Sequence, residues 1–150
     1  WSYGYLNSTY NFEELPEIEF RSNFDITHSL SSGITFSTQK LKLAVGANWR
    51  TGKPFTPILA GNEVTDGNVN YDLVNSNELN DYLRFDFSAI YKGKIGNKTG
   101  LQIGVSVWNL LNRENPINTF FRVNQQNEAQ QILQQSLRIT PNANLKIFFN

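Results

Sequence analysis

The chain has neither cysteine nor methionine among its 150 residues. Without cysteine there are no disulfides and no thiolate metal sites, although the compartment stays open. Net charge is missing as well. The 13 basic and 13 acidic side chains cancel, so there is no electrostatic case for nucleic acid or for an acidic membrane surface. No apolar run of about 18 residues occurs, which leaves no membrane helix. No charged segment leading into an apolar core appears, so a signal peptide is expected to lie outside this chain. The single histidine, His28, has no second His or Cys with which to hold a metal and no triad to serve. No glycine-rich phosphate loop follows a strand and opens a helix. These absences argue against an enzyme and against a bound cofactor. The length allows one domain at most. With no methionine, and with a strand pattern already running at Trp1, residues 1–150 read as a piece of a longer protein.

What is present is aromatic: 11 Phe, 6 Tyr and 3 Trp, a bias toward strands and interfaces. The clearest stretch runs from Leu83 to Pro116. Leu83, Phe85, Phe87, Ala89 and Tyr91 alternate with Arg84, Asp86, Ser88 and Lys92, with Ile90 the exception. Leu101, Ile103, Val105 and Val107 alternate with Gln102, Gly104 and Ser106. Period-two alternation gives a strand one apolar and one polar face, and the glycines between Gly93 and Gly100 suit a turn.

The same pattern predicts strands over Trp1–Asn11, Asn23–Ser37, Leu41–Arg50 and Leu133–Phe149. On the Asn23–Ser37 strand the polar face holds no hydrophobic residue at all. Pro141 would demote a central strand unless a bulge accommodates it. Between the strands, Phe12–Phe20 reads as a charged loop whose glutamates are solvated, with a cation site as the alternative. Thr38–Lys40 is a tight turn, while Thr51–Tyr82 and Arg113–Ala129 are long irregular connections of the functional-loop kind.

Short turns thus fall on one edge of the sheet and long loops on the other. Aromatics (Trp1, Tyr3, Phe36, Trp49, Tyr82, Tyr91 and Phe149) are expected to gather at strand ends on the apolar face. A soluble up-and-down barrel would share the alternation. Loop asymmetry and aromatic girdles favour an antiparallel up-and-down transmembrane β-barrel. The smallest such barrels have about eight strands, so six are expected to be the last strands of a larger one.

Four runs carry a family resemblance. Trp49–Thr56 (WRTGKPFT) resembles the "TGxPxT" strand-to-loop signature of TonB-dependent outer-membrane receptors, notably those of Bacteroidetes. Leu79–Ser88 (LNDYLRFDFS) is similar to their "LPxYxRLDLSA" strand, although it lacks the Pro. Val107–Pro116 (VWNLLNRENP) is similar to their "xxNLxNRxNP" strand end. Leu145–Asn150 is similar to their final strand, although it ends on Asn150 rather than an aromatic. The runs come in the family's order and span the chain from near Asn23 to its end.

The resemblance implies a barrel of about 22 strands with an N-terminal plug in its lumen. It further implies TonB-energised uptake of a scarce nutrient such as a siderophore, cobalamin or a glycan, in the outer membrane of a Gram-negative bacterium. Residues 1–150 would supply barrel wall and outer loops. The implied partners are the lipid bilayer with its lipopolysaccharide, the protein's own plug and remaining barrel, TonB through the N-terminal part, and in some members a surface lipoprotein. A passive porin-like barrel and a soluble β-barrel binding module are the alternatives.

Two groups of residues are candidates for contact. Asp25, Arg50, Arg84, Asp86 and Arg138 are expected on the polar, lumen-facing wall, either bridging to one another and the plug or touching substrate. The loop aromatics Phe55, Tyr71, Phe120 and Phe121, with Arg122 and Arg113 near them, have no strand face to join and are candidates for ligand contact. Loop-to-loop packing is their plainer role. His28 is expected to pack on the apolar face.

Overall fold

The computed structural model describes residues 1–12, 19–96 and 99–149. Among these residues the chain is all-β and antiparallel, without a helix. The strands are β1 (Ser2–Tyr5), β2 (Thr9–Asn11), β3 (Glu19–Arg21), β4 (His28–Ser37), β5 (Leu41–Arg50), β6 (Pro54–Phe55) and β7 (Val64–Thr65). They continue with β8 (Asn68–Val69), β9 (Asn77–Glu78), β10 (Tyr82–Ile95), β11 (Thr99–Trp108), β12 (Pro116–Val123), β13 (Ala129–Gln135) and β14 (Thr140–Phe149). One six-stranded sheet, ordered β1-β4-β5-β10-β11-β14, carries the long strands; β2-β3, β6-β9, β7-β8 and β12-β13 form separate pairs. The large sheet does not close on itself, since β1 and β14 end the order.

The registers show why the alternation matters. Ile34 lies opposite Val45, Val45 opposite Phe87, Phe87 opposite Val107 and Val107 opposite Pro141. The next row on that face runs Phe36, Leu43, Ala89, Val105 and Ala143, and the one after it Leu41, Tyr91, Ile103 and Leu145. Because side chains alternate across a strand, these rows share a face, and the apolar positions of separate strands merge into one apolar surface. That surface is not buried: Ile34 is 78% and Leu145 62% exposed, and Leu79 is the only buried hydrophobic side chain among the described residues. Leu41, Leu43, Val45, Leu101, Ile103, Val105, Leu145 and Ile147 all lie on it.

Connections alternate in the same register. The β4-β5 and β10-β11 turns are short and share one edge, while residues 6–27, 51–81 and 109–139 join strands at the other. None of the three long connections is irregular throughout. Each contains its own hairpin, and Asp66-Gly67, both at positive φ, make the two-residue turn between β7 and β8 that an Asp-Gly pair signals.

Several boundaries differ from the sequence expectation. The first strand ends at Tyr5; the chain then turns, with Leu6 N donating to Thr27 O at 3.0 Å, and Thr9–Asn11 pair instead with Glu19–Arg21. The last strand is interrupted. Ala129–Gln135 pair with β12, Ser136 N donates to Asn115 O, and only Thr140–Phe149 join the sheet. Pro141 is accommodated on the strand that ends this sheet. Tyr82 belongs to the polar face, not the apolar one, since β10 begins there, one residue before Leu83, opposite Arg50. The acidic stretch expected to form a charged loop falls mainly on residues 13–18, outside the described residues.

Candidate functional site

All three long connections pack together at the long-loop edge, and polar side chains do most of the tying. Asn109 and Asn115 are the largest fully buried side chains among the described residues. Asn115 sits against β10 as a short surrogate strand: its Oδ1 accepts from Leu83 N at 2.9 Å and its Nδ2 donates to Leu83 O at 3.0 Å. One primary amide thus satisfies both backbone groups of a residue whose outer edge would otherwise be unpaired. Asn109, at φ 52°, donates through Nδ2 to Arg113 O and Leu137 O and accepts from Arg113 N. Its own amide donates to Asp86 Oδ1 at 3.0 Å. Asparagine is suited to this because its side chain both donates and accepts and because it tolerates the left-handed conformation.

The first and second connections are joined through Arg21, which pairs with Asp25 at 2.8 Å and also with Glu78. Burial pulls the Arg21 pKa down, but its hydrogen bonds to Asp25 and Glu78 outweigh that and raise it above its ordinary value. Asn75 Nδ2 donates to Arg21 O at 2.6 Å, and Asn75 N to Thr56 Oγ1 at 3.1 Å. Gly52 is required by contact rather than by φ. A Cβ there would come within 1.6 Å of Leu79 O, so the β6-β9 hairpin closes only over a bare backbone.

The second and third connections meet through aromatics. Phe121 lies 6.4 Å from Phe55 and 6.1 Å, edge-on, from Tyr71, centroid to centroid. Both are ordinary aromatic pairings. Phe55, Tyr71, Phe120 and Phe121 line one hollow of about 210 Å³ together with Lys53, Asn75 and Asn118. Tyr71 and Asn75 also line a neighbouring, mostly apolar cavity of about 770 Å³ that reaches Phe20, Leu73 and Val74. Within the cluster Phe121 does the packing, while Tyr71 and Phe120 keep large exposed areas, 53% and 45%. Arg122 is not part of it and borders a separate hollow with Asn124 and Gln130. Arg113 is engaged elsewhere, donating from Nη2 to Asp81 O at 3.1 Å.

Of the five residues expected on the polar wall, Arg50, Arg84 and Asp86 lie on the polar face of the sheet. Arg84 pairs with Asp86 at 3.0 Å and reaches Tyr82 Oη, and Arg50 lies 5.0 Å over the Tyr82 ring. Asp25 precedes β4 and is buried in the turn, accepting from Ser8 N and Arg21 Nε. Arg138 precedes β14 and pairs with Glu114 in the third connection. Both were read onto strands longer than those that form. His28 opens β4 opposite Tyr5, stacked on Tyr3, with 2.8 Å between its Nδ1 and Tyr3 Oη.

Sequence reasoning treated Asn109 and Asn115 only as parts of a motif and missed them as structural centres. The available signal was an asparagine at every third position from Asn109 through Asn112 to Asn115. Comparison with protein-family models, curated proteins and solved structures finds no match.

Proposed function

We propose that residues 1–150 are barrel wall and outer loops of a TonB-energised outer-membrane receptor that imports a scarce nutrient. The observation that carries this reading is the exposed apolar surface across six strands, backed by a polar face, with every long connection at one edge. Leu83 and Gly93 are ten residue steps apart along β10, roughly 34 Å at strand rise, or about 25 Å once strands tilt by about 40°; that is the height of a lipid-facing band. Trp49 fits its upper boundary, with its ring on the apolar face and its Nε1 donating to Asp81 Oδ2 at 3.1 Å. The resemblance of the four motif runs supports energised uptake over passive diffusion.

Uptake by a strain carrying the whole gene tests the energising step. Import of the nutrient should stop when TonB is deleted; import that persists identifies a passive pore. Topology is testable in intact cells, because these residues contain no native cysteine. An impermeant thiol reagent should label Asn68→Cys, on the β7-β8 hairpin, and leave Gln39→Cys, in the β4-β5 turn, unmodified. The opposite pattern inverts the barrel.

Within the proposed outer loops, Tyr71 and Phe120 are the contact candidates. Truncating both to alanine should weaken cargo binding by roughly tenfold or more, the scale of an aromatic anchor, with heat-modifiable mobility on a gel unchanged. Wild-type affinity in that variant would move recognition elsewhere in the receptor.

A further inference from the structure

We infer that the polar face of the sheet carries a seat for a carboxylate, built on Arg50. Two successive rows of that face, Ser29–Arg50–Tyr82 and Ser31–Asn48–Arg84, run across β4, β5 and β10. All six residues line a single hollow of about 270 Å³. The following row begins with Gly33 and Gly46, opposite each other and without side chains to fill the space.

What sets this hollow apart is its balance of donors and acceptors. The Arg84 charge is already matched by Asp86 at 3.0 Å. Arg50 has no carboxylate within ion-pair distance among the described residues, and its guanidinium is steadied on one side by the Tyr82 ring at 5.0 Å. That stacking orients the planar fork while leaving its edge donors available. Ser31 Oγ donates to Asn48 Oδ1 at 2.9 Å, which leaves the Asn48 Nδ2 group to donate. Ser29 adds a hydroxyl. The hollow therefore offers an uncompensated, pre-oriented guanidinium, an amide donor and a hydroxyl donor. The complementary group is a planar anion that accepts two parallel hydrogen bonds, which a carboxylate does. Its position just inside the long-loop edge suits either an acidic cargo or a carboxylate from another part of the same protein. The seat needs only the polar face and so stands apart from the membrane reading.

Titration calorimetry on the full-length protein, with citrate as probe and sucrose as neutral control, tests it. Citrate should bind saturably and sucrose should not. Arg50→Gln should weaken citrate by at least about tenfold, as loss of a charge-assisted pair does, and Arg50→Lys, which keeps charge but not the fork, should fall between. If the wild-type protein takes up no citrate, thermal unfolding distinguishes the source. A lower midpoint for Arg50→Gln at low salt, converging with wild type at high salt, assigns the seat to a carboxylate of the protein itself. Citrate binding that Arg50→Gln leaves unchanged overturns the seat, as does a variant that moves neither measurement. Whether the protein needs detergent is read separately from heat-modifiable mobility, which neither substitution should alter.

Discussion

If the apolar face meets lipid as proposed, Val105→Arg should destabilise the fold by about 2–4 kcal/mol, the cost of a cationic side chain at the bilayer midplane of an outer-membrane barrel. Val105 is the residue to change because its row, with Phe36, Leu43 and Ala89, is near the middle of the apolar surface. It is 47% exposed on the sheet. If water covered that face, arginine would cost little, since exposed surface substitutions usually stay within about 0.5 kcal/mol. The control is Thr35→Arg on the opposite, polar face, where the effect should be small. Urea unfolding of the full-length protein in lipid vesicles measures both. A Val105→Arg cost no greater than that of Thr35→Arg would sink the lipid-facing assignment, and with it the proposed barrel.

Asn115→Ala should be the most damaging polar substitution. It removes both hydrogen bonds to Leu83 and a longer one to Arg113 O, and leaves the amide and carbonyl of Leu83 without those partners, each buried unsatisfied group costing about 1–3 kcal/mol. Asn115→Asp tests the mechanism. The carboxylate keeps the bond from Leu83 N but meets Leu83 O with no proton to donate, so it should also destabilise despite its nearly identical shape. The local signature is amide exchange at Leu83, slow in the native protein and fast in both variants. Wild-type unfolding and a still-protected Leu83 amide in Asn115→Ala would show that the third connection is held by other contacts. The consequence for function follows from connectivity. The chain runs from Asn115 directly into β12, which carries Phe120 and Phe121, so releasing Asn115 loosens the candidate contact surface while the strands stay paired.

The polar candidates divide according to how local their determinants are. Arg50, Arg84 and Asp86 lie inside long alternating runs, and alternation alone assigns them a face. Asp25 and Arg138 lie near strand ends, where the pattern continues in sequence but the pairing partner has changed. At Asp25 the chain is held by Ser8 and Arg21 rather than by a neighbouring strand. Arg138 follows a segment whose Ser136 is bonded to Asn115. Period two persists wherever polar and apolar residues alternate, whether or not a strand forms beside it.

The sequence by itself determined the all-β class, the two faces of the long strands and the edge from which the long connections leave. Each rests on a repeat of two residues or on the distance between strands, and both are properties of a single stretch of chain. Only the tertiary structure decided which connections touch. Asn115 meets Leu83 across 32 residues, and Phe121 meets Phe55 and Tyr71 from another loop. It also decided that Arg84 is matched by Asp86 while Arg50 lacks a carboxylate partner among the described residues. A side chain's alternation is written in its neighbours along the chain, whereas its hydrogen-bond partner depends on the register of strands and loops that meet only once the sheet has formed.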